Sequence, residues 1–167
     1  KLLVSPSAGG WVSVYPNQHG QDDKVSKKIA KKCGGDLIHL AIHDDDVLYY
    51  WLYKDGKLLD KYSTCPEYFE QLSPRAKAAW TGKPELLAPL VAHAVATQSI
   101  VDLLEQMRSE PLFTSPSPTE LSDLLGISNA WTAYEYLMDG ETDGVADWNQ
   151  FVHLPDLSSE QRQKQKR

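Results

Sequence analysis

The sequence predicts an α+β fold: a single domain with a roughly four-stranded, mainly antiparallel sheet in the order β-α-β-β-β, followed by several packed helices. Three observations predict it. The stretch from Leu37 to Thr64 (LIHLAIHDDDVLYYWLYKDGKLLDKYST) divides into three strand-length runs at Asp44-Asp45-Asp46 and Asp55-Gly56. A short alternating run, WVSVY from Trp11 to Tyr15, precedes a lysine-rich amphipathic segment. Beyond Thr64 the turn residues Ser-Pro, Gly and Pro bracket runs with helical spacing.

In chain order, Trp11–Tyr15 reads as a strand between Gly9-Gly10 and Pro16-Asn17, with Val12 and Val14 on one face. From about Gln21 to Lys32 a helix is expected. Asp22 or Asp23 can cap it, Val25, Ile29 and Ala30 form a narrow apolar stripe, and Gly34-Gly35 ends it. Its lysines (Lys24, Lys27, Lys28, Lys31, Lys32) are the one basic patch in the chain. They read first as a solvated helix face and, as the sharper alternative, as a docking surface for an acidic partner or a phosphate.

The hairpin at Asp55-Gly56 is the strongest local signal. A two-residue type I′ turn needs positive φ at both central residues, which Asp-Gly adopts at little cost. It would set Lys54 opposite Lys57, Tyr53 opposite Leu58, Leu52 opposite Leu59 and Trp51 opposite Asp60; a bulge would shift that pairing. Side chains alternate along a strand, so Tyr49, Trp51 and Tyr53 share one face and Leu48, Tyr50 and Leu52 the other. Both faces are apolar, as in a central strand covered on one side and partly covered on the other.

After the strands, the segment from Pro66 to Phe69 is short and helical or irregular. Ser73 caps a helix over Arg75–Trp80 that opens at Pro74 and stops at Gly82. Pro84 opens a helical turn, and a long helix is expected from about Ala88 to Arg108. Leu112–Pro118 reads as a loop. Helices follow at Thr119–Leu125, capped by Ser117 or Thr119, and at Ala130–Met138, capped by Asn129. Trp148–Leu154 reads as a final short strand or extended segment. The expected domain covers 1–157, with 158–167 a polar tail or the start of a linker. Lys1 and the polar end point equally to a domain of a longer protein and to a complete chain with trimmed ends.

Composition bounds the function classes. The chain has 167 residues, 41% hydrophobic and 24% charged, with a formal net charge of −6; this is a folding composition, not a disordered one. The acidic balance argues against nucleic acid as partner. No apolar run reaches the ~20 residues of a membrane helix, so no membrane partner is expected, and the apolar segment at the start is too short for a signal peptide. Cys33 and Cys65 form no Cys-x-x-Cys pair and read as free thiols of a reducing, cytoplasmic compartment. Gly9-Gly10 and Gly34-Gly35 match neither a phosphate-binding loop nor a dinucleotide fingerprint, and no cofactor is expected.

Three constellations could carry chemistry. His39 and His43 share a strand face but lie about 13 Å apart at ~3.3 Å per residue. His43 with Asp44 and Asp46 is therefore the geometrically easier candidate for a divalent metal; the ordinary alternative is a charged turn. Cys65 is a candidate nucleophile that would need a base from among His39, His43, His93 and His153; a buried, inert cysteine is the commoner finding. The aromatic residues Tyr49, Trp51, Tyr53 and Tyr62 are the candidate binding face, with core filling as the alternative. Two function classes follow: a non-enzymatic protein-interaction or regulatory domain of a cytosolic protein, which is favoured, and a small cytosolic enzyme using the Asp/His site or Cys65.

Overall fold

The computed structural model describes residues 1–93, 95–110 and 117–155. The expected tail at 158–167 lies outside the described residues, as do Ala94 and most of the expected loop at 112–118. The fold is α+β, with antiparallel strands throughout. Among the described residues the strands form two three-stranded sheets in place of one four-stranded sheet. The chain divides into two compact units, one over Gln21–Gly126 and one joining Lys1–Gly20 to the chain from Ile127.

The larger unit is built on β3 (Asp36–His43), β4 (Val47–Lys54) and β5 (Lys57–Ser63), in that order across the sheet. The turn at Asp55-Gly56 forms as its sequence requires, with φ of 48° and 78°. Lys54 pairs with Lys57 and Tyr53 with Leu58. The ladder then shifts by one residue at Leu52/Tyr53, so Leu52 pairs with Asp60, Trp51 with Lys61 and Tyr50 with Tyr62. This bulge corrects the pairings of Leu52 with Leu59 and of Trp51 with Asp60. Because side chains alternate, a one-residue shift moves every later residue of β5 to the other face.

That bulge defines the covered face of the sheet. Leu48, Tyr50, Leu52 and Tyr62 are buried there, under α4 (Thr97–Ser109). The Tyr62 hydroxyl donates to the Leu104 carbonyl at 2.6 Å, and the Tyr50 and Tyr62 rings stack at 5.4 Å. The apolar stripe of α4 (Ile100, Leu103, Leu104, Met107) is buried, and α5 (Ser117–Leu125) packs against α4. Gly82 marks a close approach: its φ is +75°, and a Cβ there would sit 2.9 Å from the Tyr50 hydroxyl and 3.1 Å from the Tyr62 ring. Gly82→Ala is expected to cost about 1–3 kcal/mol, from overpacking and left-handed backbone together. A urea midpoint unchanged by this substitution would show that the site relaxes freely.

The expected long helix at 88–108 is interrupted. α3 (Pro84–Leu87) runs into a 3₁₀ turn at Ala88–Leu90, and α4 begins only at Thr97. Val91 turns extended (ψ 143°), and the Ala92 N–H donates to the Leu124 carbonyl of α5 at 2.8 Å. The apolar spacing of Val91 and Val95 imitates a helix stripe, but a tertiary hydrogen bond takes the backbone donor. α2 (Pro74–Ala78) starts as expected, with Ser73 Oγ accepting from the Ala76 N–H.

α1 (Lys24–Cys33) lies on the other face of the sheet. Ser26 Oγ is 3.1 Å from His39 Nδ1, and a Cβ on Gly56 would be 3.0 Å from Lys31 Cα. Asp23 is the N-cap residue but makes no cap bond, because its carboxylate accepts the Tyr53 hydroxyl at 3.0 Å. Asp22 Oδ1 accepts the Lys24 N–H instead. The five lysines are exposed.

The smaller unit is a sheet of β2 (Val14–Pro16), β1 (Leu2–Val4) and β6 (Val152–Leu154), with β1 central. Leu3, Tyr15, Leu137 and Phe151 form its core, with Tyr134, Val145 and Trp148 packed around them. The expected strand at 11–15 is shorter and later: Ala8 and Trp11 exchange backbone hydrogen bonds across Gly9-Gly10, which is therefore a hairpin turn. β1 went unread because KLLVSP is too short to show alternation. The expected helix at 130–138 shrinks to α6 (Tyr134–Met138). Asn129 does not cap it: with φ 57°, its side chain bonds both the N–H and the carbonyl of Ala146.

Candidate binding surface

The second face of the large sheet carries buried aromatics at its α1 end and partly exposed ones beyond it. β4 directs Val47, Tyr49, Trp51 and Tyr53 to it, and β3 adds Leu37, His39, Ala41 and His43. α1 covers the Tyr53 end, where Tyr53 is only 1% exposed. Tyr49 is also buried, its hydroxyl donating to the Gln21 side chain at 2.9 Å. Trp51 is half-buried at the centre. It contacts His39 at 4.9 Å, Tyr49 at 5.0 Å and Trp80 at 5.7 Å between ring centroids. Lys61 Nζ sits 4.0 Å over the Trp80 ring, and partial burial lowers its pKa.

At the far rim, Tyr68 and Phe69 fold over His43. The three rings meet edge to face, with centroids 5.8 Å apart for His43–Tyr68 and 4.9 Å for His43–Phe69. Phe69 is 66% exposed and Tyr68 37%. In edge-to-face packing the hydrogen-bearing edge of one ring meets the π-face of the next.

Of the four aromatic residues named from the sequence, Tyr49, Trp51 and Tyr53 do share this face. Tyr62 does not. An unbroken ladder would set it opposite Tyr49; the bulge sets it opposite Tyr50, fully buried on the helix side. The structure adds Trp80, Tyr68 and Phe69, which arrive from the segment after β5 and so could not be placed on this face by alternation along a strand. An exposed aromatic pair in a polar segment, Tyr68-Phe69, was the available signal.

His43, Asp44 and Asp46 do not converge. Asp44 and Asp45 adopt left-handed backbone (φ 49° and 58°) to close the β3–β4 turn. Asp44 Oδ2 lies 3.3 Å from His43 Nε2, while Asp46 accepts the Tyr68 hydroxyl at 3.0 Å. Among the described residues, no three His, Cys, Asp or Glu side chains are grouped to hold a metal ion. Cys65 is exposed, not buried, and among the described residues no hydrogen bond joins its thiol to an imidazole; its amide donates to Ser63 Oγ.

The tyrosines bear on alkaline stability. Burial pushes Tyr50, Tyr53 and Tyr62 above the ordinary phenol value of 10.0. The Asp60 charge adds to the shift of Tyr50, and the Asp23 hydrogen bond carries Tyr53 up to about 12. A phenol whose folded pKa exceeds its unfolded one gives stability that is fully present below pH 10 and lost as pH rises through the folded value. Thermal midpoints are therefore expected to fall above pH 10, and Tyr53→Phe is expected to flatten the part of that fall between 10 and about 12. A midpoint in Tyr53→Phe that falls as steeply as in the parent chain would contradict this.

Among the described residues no helix is long and apolar enough to cross a membrane. Compared with known protein families, with curated proteins and with solved structures, the chain matches none.

Proposed function

We propose that this chain is a non-enzymatic protein-interaction or regulatory domain of a cytosolic protein, which docks a partner on the half-open aromatic face of its larger sheet. One observation carries the reading: Phe69 is 66% exposed at the end of a ring-to-ring contact run with His43 and Tyr68, on the same face as half-buried Trp51 and Trp80. Contiguous exposed aromatics of this kind are the usual anchors of protein interfaces. The exposed free thiols of Cys33 and Cys65 support a reducing compartment. Carboxylates at the rim of the face favour a protein over nucleic acid as partner.

The test is site-specific photocrosslinking of the 167-residue chain in native lysate. A photoreactive residue at position 69 is expected to capture a discrete adduct, which the same residue at exposed Glu105 on α4 does not form. Equal labelling from both positions would remove this face as the docking site. No adduct from position 69, together with a thermal midpoint raised by divalent metal, would favour the enzyme reading instead.

A further inference from the structure

Resting on that docking surface, we infer that its partner is a basic protein segment, with arginine or lysine side chains seated on Phe69 and Tyr68 and paired with the aspartates of the β3–β4 turn. The exposed aromatic pair supplies the apolar anchor. The charge around it decides the occupant.

The turn beside the ring cluster carries Asp44, Asp45 and Asp46, all exposed. It is physically joined to the cluster by the His43–Asp44 contact at 3.3 Å and the Tyr68–Asp46 hydrogen bond at 3.0 Å. Glu67 and Glu70 flank the two rings in the chain and are exposed. Glu67 is already paired with Lys77, which lowers its pKa, so Lys77 neutralises that carboxylate and leaves the turn aspartates and Glu70 as the local excess. An aromatic π-face beside carboxylates attracts a guanidinium or ammonium group twice, through the ring quadrupole and through the charge. The same chain uses this contact internally, with Lys61 4.0 Å over Trp80 and Arg108 4.8 Å over Tyr62. The net charge of −6 steers a basic segment toward the chain at long range.

The experiment titrates the full chain with a short Arg/Leu peptide and with its Glu/Leu counterpart, following the ring-proton resonances of His43, Tyr68 and Phe69. The Arg/Leu peptide is expected to shift all three, and the Glu/Leu peptide none. Its affinity is expected to fall about tenfold in Phe69→Ala and several-fold in the Asp44→Asn/Asp46→Asn double variant, and to weaken with added salt. These side chains are exposed, so the variants keep the fold, and their unperturbed core resonances verify it. Equal binding of the Glu/Leu peptide, or binding indifferent to salt, overturns the basic partner and leaves the docking surface standing. Undiminished Arg/Leu binding by Phe69→Ala overturns the location. If neither peptide moves the rings, the inference falls, while crosslinking from position 69 reports separately on whether the face docks a partner at all.

Discussion

Tyr62→Ala is expected to remove about 3–5 kcal/mol of folding stability, the cost of deleting a buried aromatic ring. The ring is fully buried. It stacks on Tyr50 with an interplanar angle of 15°, lies under the Arg108 guanidinium, and sends its hydroxyl to the Leu104 carbonyl. Tyr62→Phe separates packing from hydrogen bonding. It is expected to cost only about 1 kcal/mol, because the Leu104 carbonyl sits within α4 and keeps the helical bond of its own turn. Urea unfolding of both variants measures the difference. With total stabilities of about 5–15 kcal/mol for domains of this kind, Tyr62→Ala is expected to bring the larger unit close to its unfolding threshold. Equal costs for the two substitutions would show that the ring packs far more loosely than its burial implies.

Asp60→Ala is expected to cost about 2–4 kcal/mol, and Asp60→Asn clearly less. Asp60 is 6% exposed, and one of its oxygens accepts both the Tyr50 hydroxyl and the Lys83 N–H, each at 2.8 Å. Alanine would strand two donors where water has little access, and each stranded buried donor costs about 1–3 kcal/mol. Asparagine presents a carbonyl oxygen in the same place and retains both partners. An Asp60→Ala variant as stable as the parent would mean that water reaches the Tyr50 hydroxyl. The pair of donors also explains the bulge. Asp60 must point to the helix side of the sheet to meet them, and in an unbroken ladder it would share a face with Trp51.

The candidate site was only partly legible in the sequence. Asp55-Gly56 could be read because a type I′ turn is a property of the residues themselves, and both reach positive φ as their chemistry favours. Tyr49, Trp51 and Tyr53 could be placed on one face because alternation is local to β4. Tyr62 could not, since its face depends on a one-residue bulge that no residue type around Leu59 announces. Asn129 has the side chain of a helix cap, yet Ala146, seventeen positions away, captures it. Trp80 and Phe69 come to the aromatic face from an irregular segment whose path is set by tertiary contacts, among them the Ser63 N–H donating to the Trp80 carbonyl.

The sequence by itself determined the α+β class, the three-stranded core of the larger unit and its tight turns, because turn propensity and alternation act within a few residues. Only the tertiary structure decided the split into two sheets, the break before α4 and which aromatics stay open to a partner. Those depend on hydrogen bonds and burial between residues far apart in the chain, where a single bulge or a captured N–H outweighs local preference.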